Sequence, residues 1–167
     1  MYIINKIPRI ELLKTNFHEY ITNSNFYSNN GAHSIKDILI KNDEILVSYT
    51  SEKFNDCYNL EIIAAKINFE FLEFNKSFEF EECSSETKTN PHMGGGRMVT
   101  YLEDNILLSV GSYGLYEQPQ NINSIFGKII NLNLINKKFN IISMGHRNPQ
   151  GLYYDMANDV IISTEHG

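Results

Sequence analysis

The stretch that decides the fold is Asp37-Ile-Leu-Ile-Lys-Asn-Asp-Glu-Ile-Leu-Val-Ser48, two short apolar runs on either side of a polar turn. The same form returns in Met98-Val-Thr-Tyr-Leu-Glu-Asp-Asn-Ile-Leu-Leu-Ser109 and in Gly151-Leu-Tyr-Tyr-Asp-Met-Ala-Asn-Asp-Val-Ile-Ile-Ser163. Two apolar runs around an Asn/Asp turn predict a β-hairpin. The second run of each is almost continuously apolar, as expected of a strand that is covered on both faces.

The hairpins recur at a long and fairly regular spacing. Their second runs begin at Ile45, Ile106 and Val160, which are 61 and 54 residues apart. This spacing is typical of propeller blades of four strands with loops between them. Further strands are expected at Gly127–Leu134 and Phe139–Met144, and no segment has convincing helical periodicity over three turns. The predicted fold class is therefore all-β, an incomplete β-propeller of roughly three blades at ~50 residues each.

The domain boundaries follow from the position of the repeats. Residues 1–30 are expected to form an N-terminal segment, with a strand of an incomplete blade as one option. Residues 31–167 are expected to form a partial propeller. Because three blades cannot close a ring, we expect the chain to be truncated after Gly167 and to expose an apolar blade face.

The composition narrows the class of protein. Of the 167 residues, 42% are hydrophobic and 20% are charged, which is ordinary for a globular domain. The formal net charge of −6 argues against a nucleic-acid-binding surface. No apolar run is long enough to span a bilayer, and the first residues lack the pattern of a signal peptide.

The two cysteines, Cys57 and Cys83, are either buried thiols or a disulfide. Leu60–Asn68 and Phe71–Phe80 read as the two strands of a hairpin that turns near residue 70. Cys57 and Cys83 lie equally far from this turn and should face each other just beyond the paired region. The register favours the disulfide, which would indicate an oxidising compartment.

The first candidate site is Gly145-His-Arg-Asn-Pro-Gln-Gly-Leu152. From composition alone it is either a turn that presents donors to a ligand or a structural loop whose polar groups bind backbone. The string itself resembles the signature of the soluble PQQ-dependent sugar dehydrogenases, the glucose/sorbosone dehydrogenase family of six-bladed β-propellers. All eight consecutive residues match. The resemblance implies that Arg147, Asn148 and Gln150 bind pyrroloquinoline quinone, and that Arg147 polarises a quinone oxygen during catalysis.

The second candidate site is Glu165-His166-Gly167, which follows a predicted strand and resembles a Glu-His-Gly string of the same family. The resemblance implies that His166 contacts the quinone. It also implies that the carbonyl of Gly167 helps to hold a Ca²⁺ ion, which prefers oxygen ligands. The bare tripeptide is equally compatible with a simple strand-end turn.

The third candidate site is His92-Met-Gly-Gly-Gly-Arg97. In the family, a histidine shortly before Gly-Arg is the base that takes the sugar hydroxyl proton, and the resemblance assigns this role to His92. His92 lies one residue further from Arg97 than the family's histidine, and Met93 occupies the family's position. Either the extra glycine bulges the loop and restores the reach of His92, or His92 is an exposed loop residue. Glycines in such a loop let backbone approach a flat ligand closely.

The fourth candidate feature is Ser109-Val-Gly-Ser-Tyr-Gly114, which resembles a strand-end turn of the family. There an aspartate orients the catalytic histidine, and here Ser112 occupies that position. A serine brings no negative charge, so His92 should be less basic than its counterpart in the family. This difference argues against catalysis.

Together these resemblances imply part of an oxidoreductase that transfers hydride from an aldose-type sugar to pyrroloquinoline quinone held with Ca²⁺. The expected partners are a small sugar or polyol and an external electron acceptor, without nucleic acid. The expected location is periplasmic or extracellular. The alternatives are a non-catalytic β-propeller that serves as a binding or scaffold module, and an inactive fragment.

Overall fold

The computed structural model describes residues 2–4, 10–21, 35–85 and 87–166. Twelve strands are present in these ranges: β1 (Tyr2–Ile4), β2 (Ile10–Leu12), β3 (Ile35–Lys41), β4 (Glu44–Phe54), β5 (Cys57–Lys66), β6 (Asn75–Glu79), β7 (Gly95–Tyr101), β8 (Asn105–Val110), β9 (Lys128–Asn133), β10 (Phe139–Met144), β11 (Pro149–Asp155) and β12 (Val160–Glu165). The helices there are single 3₁₀ turns at Phe17–Tyr20, Pro91–Met93 and Gln118–Gln120.

The strands form antiparallel sheets in chain order. The first sheet is β3-β4-β5-β6, the second sheet is β7 to β10, and the third sheet is the pair β11-β12. A separate pair joins β1 to β2. The prediction of an all-β, incomplete propeller is confirmed, because two complete four-stranded blades and a two-stranded part of a third lie in sequence order.

Each of the three predicted hairpins is confirmed, as β3-β4, β7-β8 and β11-β12. The first turn shows why polar residues are needed there. Asn42 and Asp43 connect a Lys41–Glu44 pair, and both have positive φ, at 51° and 60°. Two successive left-handed residues are the geometry of a tight hairpin turn, and Asn and Asp tolerate this conformation better than most residues.

The main core lies between the first and second sheets, which pack face to face. The first sheet contributes Leu46, Leu60, Ile62, Phe78 and Phe80, and the second contributes Met98, Ile106, Leu108, Val110, Ile130 and Leu132. The residues from Ile45 to Thr50 on β4 are all buried, as predicted for a strand covered on both faces. The opposite face of the first sheet packs against Leu13, Phe17 and Tyr20.

The third sheet is covered on one face only. Leu152, Tyr154 and Ile161 pack against Leu107 and Ile129 of the second sheet. On the other face the large apolar side chains are exposed: Tyr153 at 60%, Val160 at 46% and Ile162 at 51%. The expected exposed apolar blade face is therefore present.

The structure joins Cys57 to Cys83 in a disulfide, with the Cα atoms 5.2 Å apart. The register of β5 and β6 pairs Glu61 with Glu79, as a turn centred on residue 70 requires. Strand β6 is shorter than the predicted strand Phe71–Phe80. Residues 71–74, the expected first part of this strand, lie outside β6. The N–H of Leu72 donates instead to the carbonyl of Lys14, in the N-terminal segment, at 2.9 Å.

Within the described residues, no helix has the length and apolar character that crossing a membrane would need.

Candidate functional site

The Arg147 turn connects the last strand of the second sheet to the first strand of the third. It leaves β10 through Gly145, whose φ is +94°, a conformation that favours glycine. The Arg147 side chain is exposed, and its guanidinium makes no hydrogen bond or ion pair with any residue in the described ranges. A guanidinium in this state is available to bind an anionic or carbonyl-bearing ligand through paired N–H donors.

Asn148 lies directly after Arg147 but is buried, with 3% of its surface exposed. Its Nδ2 donates to the carbonyl of His92 at 3.1 Å, and its Oδ1 accepts from the N–H of Gly95 at 3.4 Å. Both ends of the amide are therefore used by the loop that precedes β7. Asn148 was expected to bind the cofactor, and the structure places its side chain as a link between two loops.

His92 lies in the 3₁₀ turn Pro91–Met93 with its side chain exposed. The turn is anchored at its start, because Asn90 Oδ1 accepts from the N–H of His92 at 3.1 Å. The structure thus brings the predicted base loop and the Arg147 turn together through Asn148. This proximity could not be read from residues that lie 56 positions apart.

Lys36 on β3 supports the same 3₁₀ turn and was not singled out from the sequence. Its Nζ donates to the carbonyl of Pro91 at 2.6 Å. Burial lowers the pKa of Lys36 from 10.5 to about 8. The sequence of β3 gives no local signal for this contact, because the partner lies 55 positions away in the 3₁₀ turn Pro91–Met93.

The glycines of this loop make room for the chain itself. A Cβ atom on Gly96 would lie 2.3 Å from the Cβ of Lys36, and one on Gly95 would lie 2.8 Å from the backbone nitrogen of Gly111. Both glycines also have positive φ. The sequence predicts that these glycines let the backbone approach a flat ligand closely. At Gly96 and Gly95, the space beside the Cα atom is already filled, by the side chain of Lys36 and by the backbone of Gly111.

Ser112 is fully buried in the turn after β8. Its N–H donates to the carbonyl of Arg147 at 2.7 Å, and its Oγ accepts from the N–H of Gly114 at 3.3 Å. The backbone of Ser112 therefore supports the Arg147 turn, while its hydroxyl closes its own turn. Sequence comparison with the family pattern pointed to the side chain of Ser112 and missed this backbone contact.

Glu165 and His166 lie at the end of β12, next to the Arg147 turn. The N–H of His166 donates to the carbonyl of Asn148 at 3.1 Å, and the His166 side chain is exposed. The Glu165 carboxylate accepts from the backbone N–H groups of Arg147 and Asn148. Gly167, the predicted metal ligand, lies outside the described residues.

Gln150 is exposed on β11 and has no side-chain hydrogen bond within the described ranges. No group of three His, Cys, Asp or Glu side chains in these ranges is arranged to hold a metal ion. A Ca²⁺ site can also be built from backbone carbonyls, which this observation does not concern.

Stacked four-stranded sheets with an exposed arginine turn beside a histidine loop define a β-propeller with a candidate ligand site. The chain belongs to the Glucose / Sorbosone dehydrogenase family, whose model matches residues 34–167. No functionally curated protein is similar enough in sequence to count as a relative.

Several solved structures share the fold. A glucose dehydrogenase has a TM-score of 0.67 at 17% identity, covering 81% of this chain and 48% of its own. The soluble aldose sugar dehydrogenase of Escherichia coli, in its apo-form, has a TM-score of 0.62 at 17% identity, with 76% and 40% covered. The PQQ-bound aldose sugar dehydrogenase of Streptomyces coelicolor has a TM-score of 0.59 at 19% identity, with 76% and 39% covered. The chain spans about half the length of the first of these.

Proposed function

We propose that this chain is part of a PQQ-dependent sugar dehydrogenase that oxidises a hydroxyl group of an aldose-type sugar. The observation that carries the proposal is the Arg147 turn, which has an exposed arginine side chain and is tied to the His92 loop by the buried amide of Asn148. A cation and a candidate base on neighbouring loops are the two groups that hydride transfer to a quinone requires.

The residues present fit a quinone that carries carboxylates. The guanidinium of Arg147 is exposed and makes no bond within the described ranges, so it can donate two aligned hydrogen bonds to such oxygens. Gln150 and His166 are exposed near the same turn and would add polar contacts. Pyrroloquinoline quinone supplies, when bound, an acceptor for the hydride of the sugar carbon. Ca²⁺ belongs to the same proposal, with the carbonyl of Gly167 as one ligand.

His92 is the proposed base, and its imidazole nitrogen would take the sugar hydroxyl proton. Asn148, Asn90 and Lys36 hold the backbone on either side of this residue. Because Ser112 brings no carboxylate, the imidazolium formed would be stabilised less than in a histidine–aspartate pair. We therefore expect slower turnover than a protein with that pair would have. The electrons would then leave to an external acceptor.

A second candidate function is a non-catalytic propeller that binds a ligand without oxidising it, or an inactive fragment. The observation that favours it is the buried Ser112, whose hydroxyl is engaged within its own turn and offers no charge to a base. A propeller that kept the arginine turn and lost the acidic partner would still bind an anionic ligand.

The disulfide between Cys57 and Cys83 supports a location in an oxidising compartment. A periplasmic or extracellular protein is the corresponding proposal.

The test uses the full reading frame that encodes this chain, supplied with pyrroloquinoline quinone and Ca²⁺. Aldoses and an artificial dye are then added, and dye reduction is followed by absorbance. Sugar-dependent dye reduction that requires the added quinone supports the dehydrogenase. Quinone binding without dye reduction supports the binding module. Absence of both overturns the dehydrogenase and the binding module, and supports the inactive fragment.

A further inference from the structure

The carboxylate of Glu165 is the acceptor that ties the end of β12 to the Arg147 turn. Its Oε1 lies 2.5 Å from the Nδ1 atom of His146. Its Oε2 accepts hydrogen bonds from two successive backbone groups, the N–H of Arg147 at 3.2 Å and the N–H of Asn148 at 3.0 Å. One side chain thus satisfies three donors of a single turn, and hydrogen bonds to a charged acceptor are among the stronger ones in proteins.

The backbone of Arg147 is hydrogen-bonded on both sides of its Cα atom. Its N–H is held by Glu165, and its carbonyl accepts from the N–H of Ser112 at 2.7 Å. Glu165 comes from the third sheet and Ser112 from the second. Because the peptide groups on both sides of the Arg147 Cα are held, the direction of its Cα–Cβ bond is fixed, which limits the region that the side chain can reach.

The ring of His146 links Glu165 to strand β10. Its Nε2 lies 2.9 Å from Ser143 Oγ, while its Nδ1 contacts Glu165. The His146 side chain is 17% exposed, and that of Glu165 is 37% exposed. The partly buried ring therefore connects β10 to β12.

We propose that Glu165 is a positioning residue, whose carboxylate fixes the backbone of the turn and so the place and direction from which the Arg147 side chain extends toward its ligand. The proposal rests on the proposed function only in naming pyrroloquinoline quinone as that ligand. Glu165 itself does not touch the ligand in this scheme, and it acts through the backbone of Arg147 and Asn148. The effect of Glu165 on the hydrogen exchange of these backbone amides can be measured without any ligand.

The experiment compares Glu165→Ala with Glu165→Gln in the same chain. Glutamine keeps one oxygen for the two backbone N–H groups and can donate to the Nδ1 atom of His146, whereas alanine keeps neither contact. Glu103→Ala is the matched control, because Glu103 is an exposed glutamate in the β7–β8 turn with no side-chain hydrogen bond within the described ranges. Hydrogen exchange of the backbone amides is followed by NMR, and affinity for pyrroloquinoline quinone by calorimetry.

We expect Glu165→Ala to speed exchange at the amides of Arg147 and Asn148 by about tenfold or more, since each loses a charged acceptor. Quinone affinity should fall by about tenfold in the same variant. Glu165→Gln should recover most of both properties, and Glu103→Ala should change neither.

Unchanged amide exchange in Glu165→Ala overturns the inference, and so does faster exchange with full quinone affinity. If the wild-type chain binds no quinone, the proposed function fails, and the amide measurement still decides whether Glu165 orders the turn. If the alanine variant does not fold, Glu165→Asp replaces it. Aspartate keeps the charge but is one methylene too short, so it should behave differently from glutamine; equal behaviour would contradict the role assigned to reach and geometry.

Discussion

The side-chain amide of Asn148 donates a hydrogen bond to the backbone carbonyl of His92 at 3.1 Å, across 56 positions of sequence. Asn148 follows Arg147 directly, so this contact ties the arginine turn to the histidine loop. The same amide accepts from the N–H of Gly95, at the start of β7. Asn148 thus joins the third sheet to the second at the candidate site.

Replacing Asn148 with alanine should lower the free energy of unfolding by about 1–3 kcal/mol, because the buried amide and both of its hydrogen bonds to backbone are lost. Urea unfolding followed by circular dichroism measures this value. Asn158→Ala is the control, since its Nδ2 atom also donates a hydrogen bond, to Asp155 Oδ2 at 2.7 Å, but in an exposed turn. The control should change stability by less than about 0.5 kcal/mol. Equal losses in the two variants would contradict a buried linking role for Asn148.

Replacing Arg147 with alanine should weaken ligand binding and leave the stability of the fold unchanged. The guanidinium is exposed and has no partner within the described ranges, so the unfolding midpoint should stay within about 1 °C of wild type. Affinity for pyrroloquinoline quinone should fall by about 10- to 100-fold, the equivalent of about 1.5–3 kcal/mol for a charged hydrogen bond. Lys138→Ala removes an exposed positive charge elsewhere and should leave affinity unchanged. A comparable loss in both variants would show that only net charge matters.

The strands of this fold could be predicted because their signals are local. The Asn42-Asp43 turn, with its flanking apolar runs, specifies a hairpin from a dozen neighbouring residues, and the disulfide followed from the register of a second hairpin. The length of β6 was wrong for a non-local reason, since Leu72 pairs with Lys14 instead. Propensity cannot reveal a competing partner that lies far away in the chain.

The sequence identified residues of the candidate site but not the hydrogen bonds that hold them in place. The string around Arg147 identified the turn, but the roles of Glu165 and Lys36 depend on contacts between a strand and a turn that is distant in sequence. Asn148 was expected to bind a cofactor, and the structure adds that its amide donates one hydrogen bond to backbone and accepts another. Such contacts are set by how the blades stack, which a one-dimensional pattern does not specify.

The disulfide should contribute measurably to stability. Cys57 and Cys83 are 26 residues apart, and closing a loop of this size stabilises a chain by about 3.5 kcal/mol in the loop-entropy model. Urea unfolding with and without a reducing agent should differ by that amount in the wild-type chain. The double variant Cys57→Ala, Cys83→Ala should have the stability of the reduced protein and no response to the reductant. A reductant effect that persists in the double variant would assign the change to something other than this bond.

The buried amine of Lys36 should give the protein a specific dependence of stability on pH. Burial lowers the pKa of Lys36 from 10.5 to about 8 in the folded state. Below pH 8 the folded and unfolded chains both carry the proton, so its contribution is constant. Between pH 8 and 10.5 the folded chain has released a proton that the unfolded chain keeps, so the free energy of unfolding should rise with pH.

Comparison with Lys36→Met isolates this contribution, because methionine has a similar length and no proton to lose. The difference in unfolding free energy, wild type minus variant, should rise by about 1.4 kcal/mol per pH unit above pH 8. Burial also lowers the pKa of Lys128, but that group is present in both proteins and cancels in the difference. A difference that stays constant from pH 7 to pH 10 would mean that Lys36 keeps its proton in the folded state. The bond from its Nζ to the carbonyl of Pro91 would then hold the His92 turn as a fully charged contact.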